Sequence, residues 1–249
     1  MKRFISKNLG LLFHDLFKGT RIKNTCKFLS KSQYWDDHQM EQYRSKKLYL
    51  LFEFVINNNK FYQSKYSFLI NKEFEIITLN DLTLLPILTK EELRDNILLS
   101  ENINKRKLTK AKTGGTTGPP TVIYKDTDSR SFAWGSWYRW YIWMGINQGD
   151  PALTLWGSRT VLSKSYSNIL YNKITSALEN NLTINSFKIN DNSIDSIIRK
   201  ILRKKPVIIK GYLSAILQVA DYLNYKKIAY SPKCISTTTE TLLPPYREY

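Results

Sequence analysis

The chain has 249 residues, 42% of them hydrophobic and 13% aromatic, enough for one large domain or a large domain with a small appendage. Thirty-eight basic against 21 acidic residues give a formal net charge of +17. The basic residues are spread in short clusters such as Lys105–Lys107 and Arg203–Lys205, without a zinc-finger, RNA-recognition or basic-helix pattern, so nucleic acid is not the expected partner.

Two distant cysteines, Cys26 and Cys234, and two histidines, His14 and His38, argue against a disulfide framework and against a histidine-based metal site. They point to a reducing cytoplasm. The opening residues, MKRFISKNLGLLFHDLFKG, are basic and partly apolar, but Lys7 and Asn8 interrupt them and Leu9–Phe13 is too short for a signal sequence. Residues 4–17 read as a packed surface helix, with a peripheral amphipathic membrane contact as the alternative. The longest apolar stretch, LYLLFEFVI from Leu48, contains Glu53 and is far short of a membrane span.

Leu48, Leu51, Phe52, Val55 and Ile56 recur at helical spacing, which predicts a helix over 38–57 that stops at Asn57-Asn58-Asn59. After Phe61-Tyr62 comes LNDLTLLPILTKEELRDNILLS, where Thr89 and Glu92 form a capping box ahead of a short helix. Val122, Ile123 and Tyr124 have strand propensity. Asp126 or Asp128 is placed to cap a helix over about 129–144, and Gly145 to end it. Its stripe of Trp137, Trp140, Tyr141 and Met144 reads as buried packing rather than a ligand platform.

From there strands and helices alternate. PALTLW is a short strand, a helix follows over about 163–178, and LTINSFKI reads as a strand. DNSIDSIIRKILRKK is an amphipathic helix with Ile194, Ile197, Ile198, Ile201 and Leu202 on one face, ended by Pro206. VIIKGY, LSAILQVADYL and KCISTTTE complete the series as strand, helix and strand. The expected fold is α/β: a helical N-terminal region followed by a mainly parallel sheet with alternating helices. The division falls near residue 100, giving 1–100 as the helical part and 101–249 as an α/β nucleotide-binding portion. Ligands in such sheets bind outside the carboxyl ends of the strands. That rule places Trp156-Gly157-Ser158, Gly211-Tyr212 and Thr237–Glu240 on one rim.

The densest chemistry lies in KTGGTTGPPT, Lys112–Thr121, which holds three of the ten glycines within five residues, alternating with threonines. Glycine frees the backbone to approach a ligand, and successive N–H groups with threonine hydroxyls can cradle phosphate. The stretch lacks the four-residue spacing and the lysine of a Walker loop. It is not the dinucleotide turn either, since it leads into a strand.

Thr113, Gly114, Gly115, Thr116, Thr117, Gly118 and Pro120 occupy every fixed position of [ST]-[SG]-G-[ST]-T-G-x-P. This resembles the phosphate loop of the adenylate-forming, acyl-activating superfamily. Phe61-Tyr62, LPILTKEELRDN, GINQGD, KPVIIKGYLSAILQVADYL and ISTTTETLLPPYRE look like further segments of the phenylacetate–CoA ligase-like branch, in the same order. The nearest pattern is the CapK-like branch, associated with capsular polysaccharide biosynthesis.

The resemblance implies ATP and Mg²⁺ as cofactors, a small-molecule carboxylate as substrate, an acyl-adenylate intermediate and a thiol acceptor such as coenzyme A. It implies that Thr113, Gly114, Gly115, Thr116, Thr117 and Gly118 hold the ATP phosphates. Thr239 and Glu240 fall on the adenine side, and Trp156, Gly157, Ser158 and Tyr212 line the acyl pocket. No metal-binding residue is identified. Pro119 and Thr121 stand where lysine is frequent in relatives, leaving Lys112 or Lys125 as a source of charge for the γ-phosphate. The Tyr-Gly-x-x-Glu segment that follows in such enzymes does not occur before Tyr249, so a portion unable to complete adenylation alone is expected. The other two readings are a non-catalytic binding module and a basic peripheral scaffold of polysaccharide assembly.

Overall fold

The computed structural model describes residues 2–66, 79–95, 103–104, 108–112, 121–157 and 166–248. It divides into two compact units, Met1–Lys23 with Gly135–Tyr249, and Asn24–Trp134. Helix α1 spans Lys2–Lys18 and α2 spans Ile22–Ser32. Asp15 closes the step between them. Its carboxylate accepts from the Thr20 hydroxyl at 2.7 Å and from the Ile22 and Lys23 amides at 2.8 and 3.1 Å, so the first donors of α2 are satisfied.

In the unit Asn24–Trp134, helix α3 runs Asp37–Asn58, one residue beyond the expected span at each end. Asp36 begins it with a capping box: the Gln39 amide donates to the Asp36 carboxylate at 2.7 Å, and the Asp36 amide donates to Gln39 Oε1 at 3.2 Å. Asn59 ends α3 in an extended conformation and caps α4, Lys60–Lys65, by accepting from the Tyr62 amide. Phe52 and Ile56 of α3 pack with Tyr66, which is why the apolar spacing of this stretch is helical.

A 3₁₀ turn, Leu79–Leu84, precedes α5, Lys90–Asp95. The expected box at its start is present: Thr89 N donates to Glu92 Oε2 at 2.8 Å, and Glu92 N donates to Thr89 Oγ1 at 3.2 Å. Glu92 also pairs with Lys65 at 2.5 Å, tying α5 to α4. The polar segment Thr109–Lys112 forms β1, antiparallel to β2, Val122–Lys125. Helix α6, Thr127–Trp143, follows, with Asp126 as its cap through the Ser129 amide at 2.7 Å.

The unit that includes Gly135–Tyr249 contains the sheet. Gly145 ends α6 as expected. It takes a φ of 70°, and the amides of Gly145 and Ile146 donate back to Ile142 and Tyr141 at 2.9 Å. Of the expected stripe, Tyr141 and Met144 pack against Ile146, Ala152 and Ile208. Trp137 departs from it, remaining 47% exposed with its ring edge-on to Trp140.

Strand β3 is Ala152–Leu155, α7 is Tyr166–Leu178 and β4 is Asn181–Ile184. The segment read as a strand over LTINSFKI is therefore strand only to Ile184. Asn185 then caps a 3₁₀ turn, Ser186–Lys188, by accepting from the Phe187 amide at 3.0 Å. Helix α8 is Ile194–Lys204, followed by β5, Ile208–Tyr212, α9, Leu213–Tyr225, β6, Cys234–Thr238, and α10, Pro244–Glu248. Lys205, at φ 49°, and Pro206 turn the chain out of α8.

The four strands β4-β3-β5-β6 are all parallel. Leu153, Leu155 and Ile209 on one face pack with Ile194, Ile197, Ile198 and Ile201 of α8 and with Ala215, Ile216, Val219 and Leu223 of α9. Each of the leucine, isoleucine and valine side chains, taken fully from water, contributes on the order of 2 kcal/mol, which fixes the register of the sheet. The α/β architecture expected from the alternation is present, with helices before it. Among the described residues no helix is long and apolar enough to cross a membrane.

Candidate functional site

Parallel pairing aligns the carboxyl ends of the strands. Leu155 is level with Ile184 and Gly211, and Gly211 with Thr237, so the residues just beyond them form one rim. Trp156, Gly157, Tyr212, Thr239 and Glu240, singled out in the sequence, all follow or end these strands. Ser158 lies outside the described residues. The Trp156 amide donates to Ile184 O at 3.0 Å, carrying the ladder one residue past β3.

Three loops interlock at this rim. The Trp156 and Tyr212 rings stack with centroids 4.7 Å apart and planes 29° from parallel. The Tyr212 hydroxyl donates to Gly157 O at 3.1 Å. Phe187 meets the Tyr212 ring edge-on at 6.5 Å. Gly157 makes room for Asn185: a Cβ there would lie 2.1 Å from Asn185 Oδ1, a side-chain atom that would have to shift. Trp156 and Phe187 remain 48% and 51% exposed, so among the described residues the rim presents a half-exposed aromatic wall. Asn185 and Phe187 were missed in the sequence reading; the signal for them was Asn185-Ser186, a turn-capping pair inside an otherwise strand-like run.

On the β6 side, Glu240 is turned towards α9. Its Oε2 accepts from the Ser214 amide at 2.6 Å and its Oε1 from the Ser214 hydroxyl at 2.8 Å. Thr239 beside it has a φ of 75°. Nothing local in the sequence announces Ser214 as the partner.

Beneath the rim, Lys210 of β5 points to the face opposite α8 and α9. Its Nζ donates to the Tyr141 hydroxyl at 3.2 Å and stands 4.8 Å from that ring's centroid. The Tyr138 hydroxyl donates to Glu179 at 3.3 Å. Burial pushes the Glu179 carboxyl up and the Lys210 ammonium down, and the charge of each opposes the other's shift. Burial, then Glu179, push Tyr141 up to about 12. This polar group is a packed element of the sheet's second face. Among the described residues no three His, Cys, Asp or Glu side chains gather as a metal site.

Thr113, Gly114, Gly115, Thr116, Thr117 and Gly118 lie outside the described residues; they belong to the unit Asn24–Trp134. Their flanks are described. Lys112 pairs with Val122, so nine residues, 113–121, join two antiparallel strands. Hairpin loops usually take about 2–5 residues, so this connection is longer than a tight turn needs. Thr121 is buried at the foot of β2. Lys125 pairs with Thr109, three residues down the ladder and roughly 10 Å from the loop's base, whereas Lys112 is the last residue of β1.

No protein-family model matches the chain. Across its whole length it is 23% identical, over 263 aligned residues, to protein CapK of Staphylococcus aureus, of which it covers 57%. An open conformation of 2-hydroxyisobutyryl-CoA ligase in complex with 2-HIB-AMP and CoA superposes with a TM-score of 0.58 at 13% identity, over 85% of this chain and 50% of that one. The same ligase in complex with 2-HIB-AMP and CoA in the thioesterification state gives 0.57 at 14% identity, over 86% of this chain and 46% of that one. The chain thus has the fold of the adenylate-forming ligases and spans about half the length of the relatives it matches. The resemblance carried by the glycine-rich stretch and its ordered landmarks agrees with this fold.

Proposed function

We propose that this chain is the nucleotide-binding portion of an AMP-forming ligase that activates a small carboxylate as an acyl-adenylate and passes it to a thiol such as coenzyme A. The observation that carries the reading is TGGTTGPPT, the nine-residue connection between β1 and β2 of a chain with the adenylate-forming ligase fold. In this reading residues 1–100 form the helical region and 101–249 the nucleotide-binding portion. The N–H groups of Gly114, Gly115 and Gly118 and the hydroxyls of Thr113, Thr116 and Thr117 surround the outer phosphates of ATP, donating to charge that grows as pyrophosphate leaves.

Mg²⁺ would offset phosphate charge, and none of its ligands is assigned among the described residues. Trp156, Gly157, Ser158 and Tyr212 shape the acyl pocket, and Thr239 and Glu240 stand on the adenine side. The aromatic wall of Trp156 and Tyr212 excludes water from one side of that pocket and orients the carboxylate-bearing group by contact. The setting we propose is surface or capsular polysaccharide biosynthesis in the cytoplasm, the first from the CapK-like resemblance of the ordered sequence segments and the second from the two distant cysteines.

We propose further that the chain alone holds nucleotide without completing adenylation; it spans about half the length of the relatives it matches. ATP–pyrophosphate exchange tests both statements. Exchange is expected to be absent for this chain and present for a longer chain that includes a Tyr-Gly-x-x-Glu segment. Absence of exchange in both, together with no binding of ATP or pyrophosphate by this chain, would overturn the ligase reading.

A further inference from the structure

Helix α9 has no side-chain cap of its own. Tyr212 occupies the cap position in an extended conformation and makes no side-chain bond to the helix start. The missing acceptor comes from Glu240, 26 residues further along the chain, and both of its oxygens are engaged by one residue, Ser214. A carboxylate suits this place, because the first turn of a helix presents unpaired N–H groups and a partial positive charge. Thr238, two residues before Glu240, is the last residue of β6 and pairs with Tyr212. The turn at Thr239 is therefore held from both sides, by the ladder and by the clasp, with threonine in a left-handed conformation that costs roughly 1 kcal/mol where nothing holds it.

We propose that Glu240 is a positioning residue. It acts through Ser214, fixing the main chain of Thr238 and Thr239 at the adenine side of the rim, and its carboxylate is committed to the helix rather than offered to the base. The proposal rests on the nucleotide reading given above. The two readings separate by ligand: AMP needs the adenine side, whereas pyrophosphate needs only the phosphate loop.

The test uses the full chain with Glu240→Ala, Glu240→Gln and Ser214→Ala, titrated with AMP and separately with inorganic pyrophosphate, and with amide hydrogen exchange followed at Ser214 and Thr239. Loss of the clasp is expected to weaken AMP about tenfold or more in Glu240→Ala, less than the full worth of its two hydrogen bonds because they act on the ligand only through the main chain they hold. Glu240→Gln and Ser214→Ala, which each keep part of the clasp, are expected to lie between. Pyrophosphate affinity stays unchanged in all three, and Ser214 and Thr239 lose protection in Glu240→Ala.

Unchanged AMP affinity in Glu240→Ala, or protection at Ser214 equal to the parent chain, overturns the proposal. So does an equal fall for both ligands, which marks a general loss of folding. A parent chain that binds pyrophosphate but not AMP also overturns it, whereas a parent chain that binds neither overturns the nucleotide reading itself.

Discussion

Gly211 is the position where a single methyl group tests the geometry of the rim most directly. It lies on β5 opposite Leu155, and a Cβ built there stands 2.1 Å from Leu155 O and 2.8 Å from the Leu155 carbonyl carbon. Both neighbours are backbone atoms of the adjacent strand, so no side-chain rotation relieves the overlap. Comfortable contact needs about 3.4 Å, so β3 and β5 must part by roughly 1 Å at their carboxyl ends. A ladder hydrogen bond near 2.9 Å stretched by that amount is no longer a bond.

Two such bonds at about 1 kcal/mol each, plus loosened packing around Leu155, bring the expected loss for Gly211→Ala to about 3–4 kcal/mol. Leu155 is fully buried, so the loosened packing is felt in the core. Urea denaturation followed by far-UV circular dichroism measures it, and a Tm lowered by about 10 °C is expected for a chain of this size. Gly19→Ala is the control. Its backbone is left-handed, with φ at 63°, but nothing lies within 4 Å of its added Cβ, so it carries only about 1 kcal/mol. A Gly211→Ala chain as stable as Gly19→Ala would refute the close approach of β3 and β5 at the rim.

Gly157→Ala overlaps Asn185 Oδ1 at 2.1 Å, but a side chain can swing away, so the expected cost is the lost cap at Phe187, about 1 kcal/mol by the same denaturation assay. It also quenches or shifts Trp156 emission as the Trp156–Tyr212 stack moves. The Lys65 hydrogen bond, then the Thr89 amide, hold the Glu92 carboxyl below its ordinary value of 4.5. Its stabilising effect is thus present above pH 4.5 and fades as pH falls through the folded value; in Lys65→Met a carbon-13 titration should show the midpoint moving up towards 4.5 without reaching it, because Thr89 still donates.

Glu179 is pushed up and Lys210 down by burial, so the contribution of Glu179 to stability falls as pH rises through its folded value, and that of Lys210 falls as pH drops below 10.5. At neutral pH Lys210→Met, which strands Glu179, should destabilise more than Glu179→Gln with Lys210→Met together, by about 1–3 kcal/mol in a double-mutant cycle.

What the sequence made legible is what depends on neighbours along the chain. PALTLW and VIIKGY read as buried strands because their apolar residues face helices on both sides, and the isoleucines from Ile194 to Ile201 repeat at the pitch that brings them all to one face. The caps at Thr89 and Asp126 and the stop at Gly145 were equally readable, since each acts within four residues of itself. The sheet order was not spelled out, but alternation of this kind leaves few arrangements.

The features that escaped are those whose partner is distant. Thr109–Lys112 has no apolar pattern and is a strand only because Val122–Lys125 pairs with it. Lys210 sits in a run that reads as core, and its ammonium is accommodated only because Tyr141 and Glu179, 69 and 31 residues away, reach the same face. Glu240 shows the same limit at the candidate site. Read locally it is an exposed acid in a rim loop, free to meet a ligand. The fold instead brings it over the start of α9, where the amide and hydroxyl of Ser214 each donate to one of its oxygens. A carboxylate that accepts from a helix start is stabilised whether or not a ligand is bound, and to meet adenine it would have to give up both bonds. Direct contact with a base is thus the costlier role for Glu240, and in the proposed reading the main chain it steadies is the cheaper surface for a base to meet.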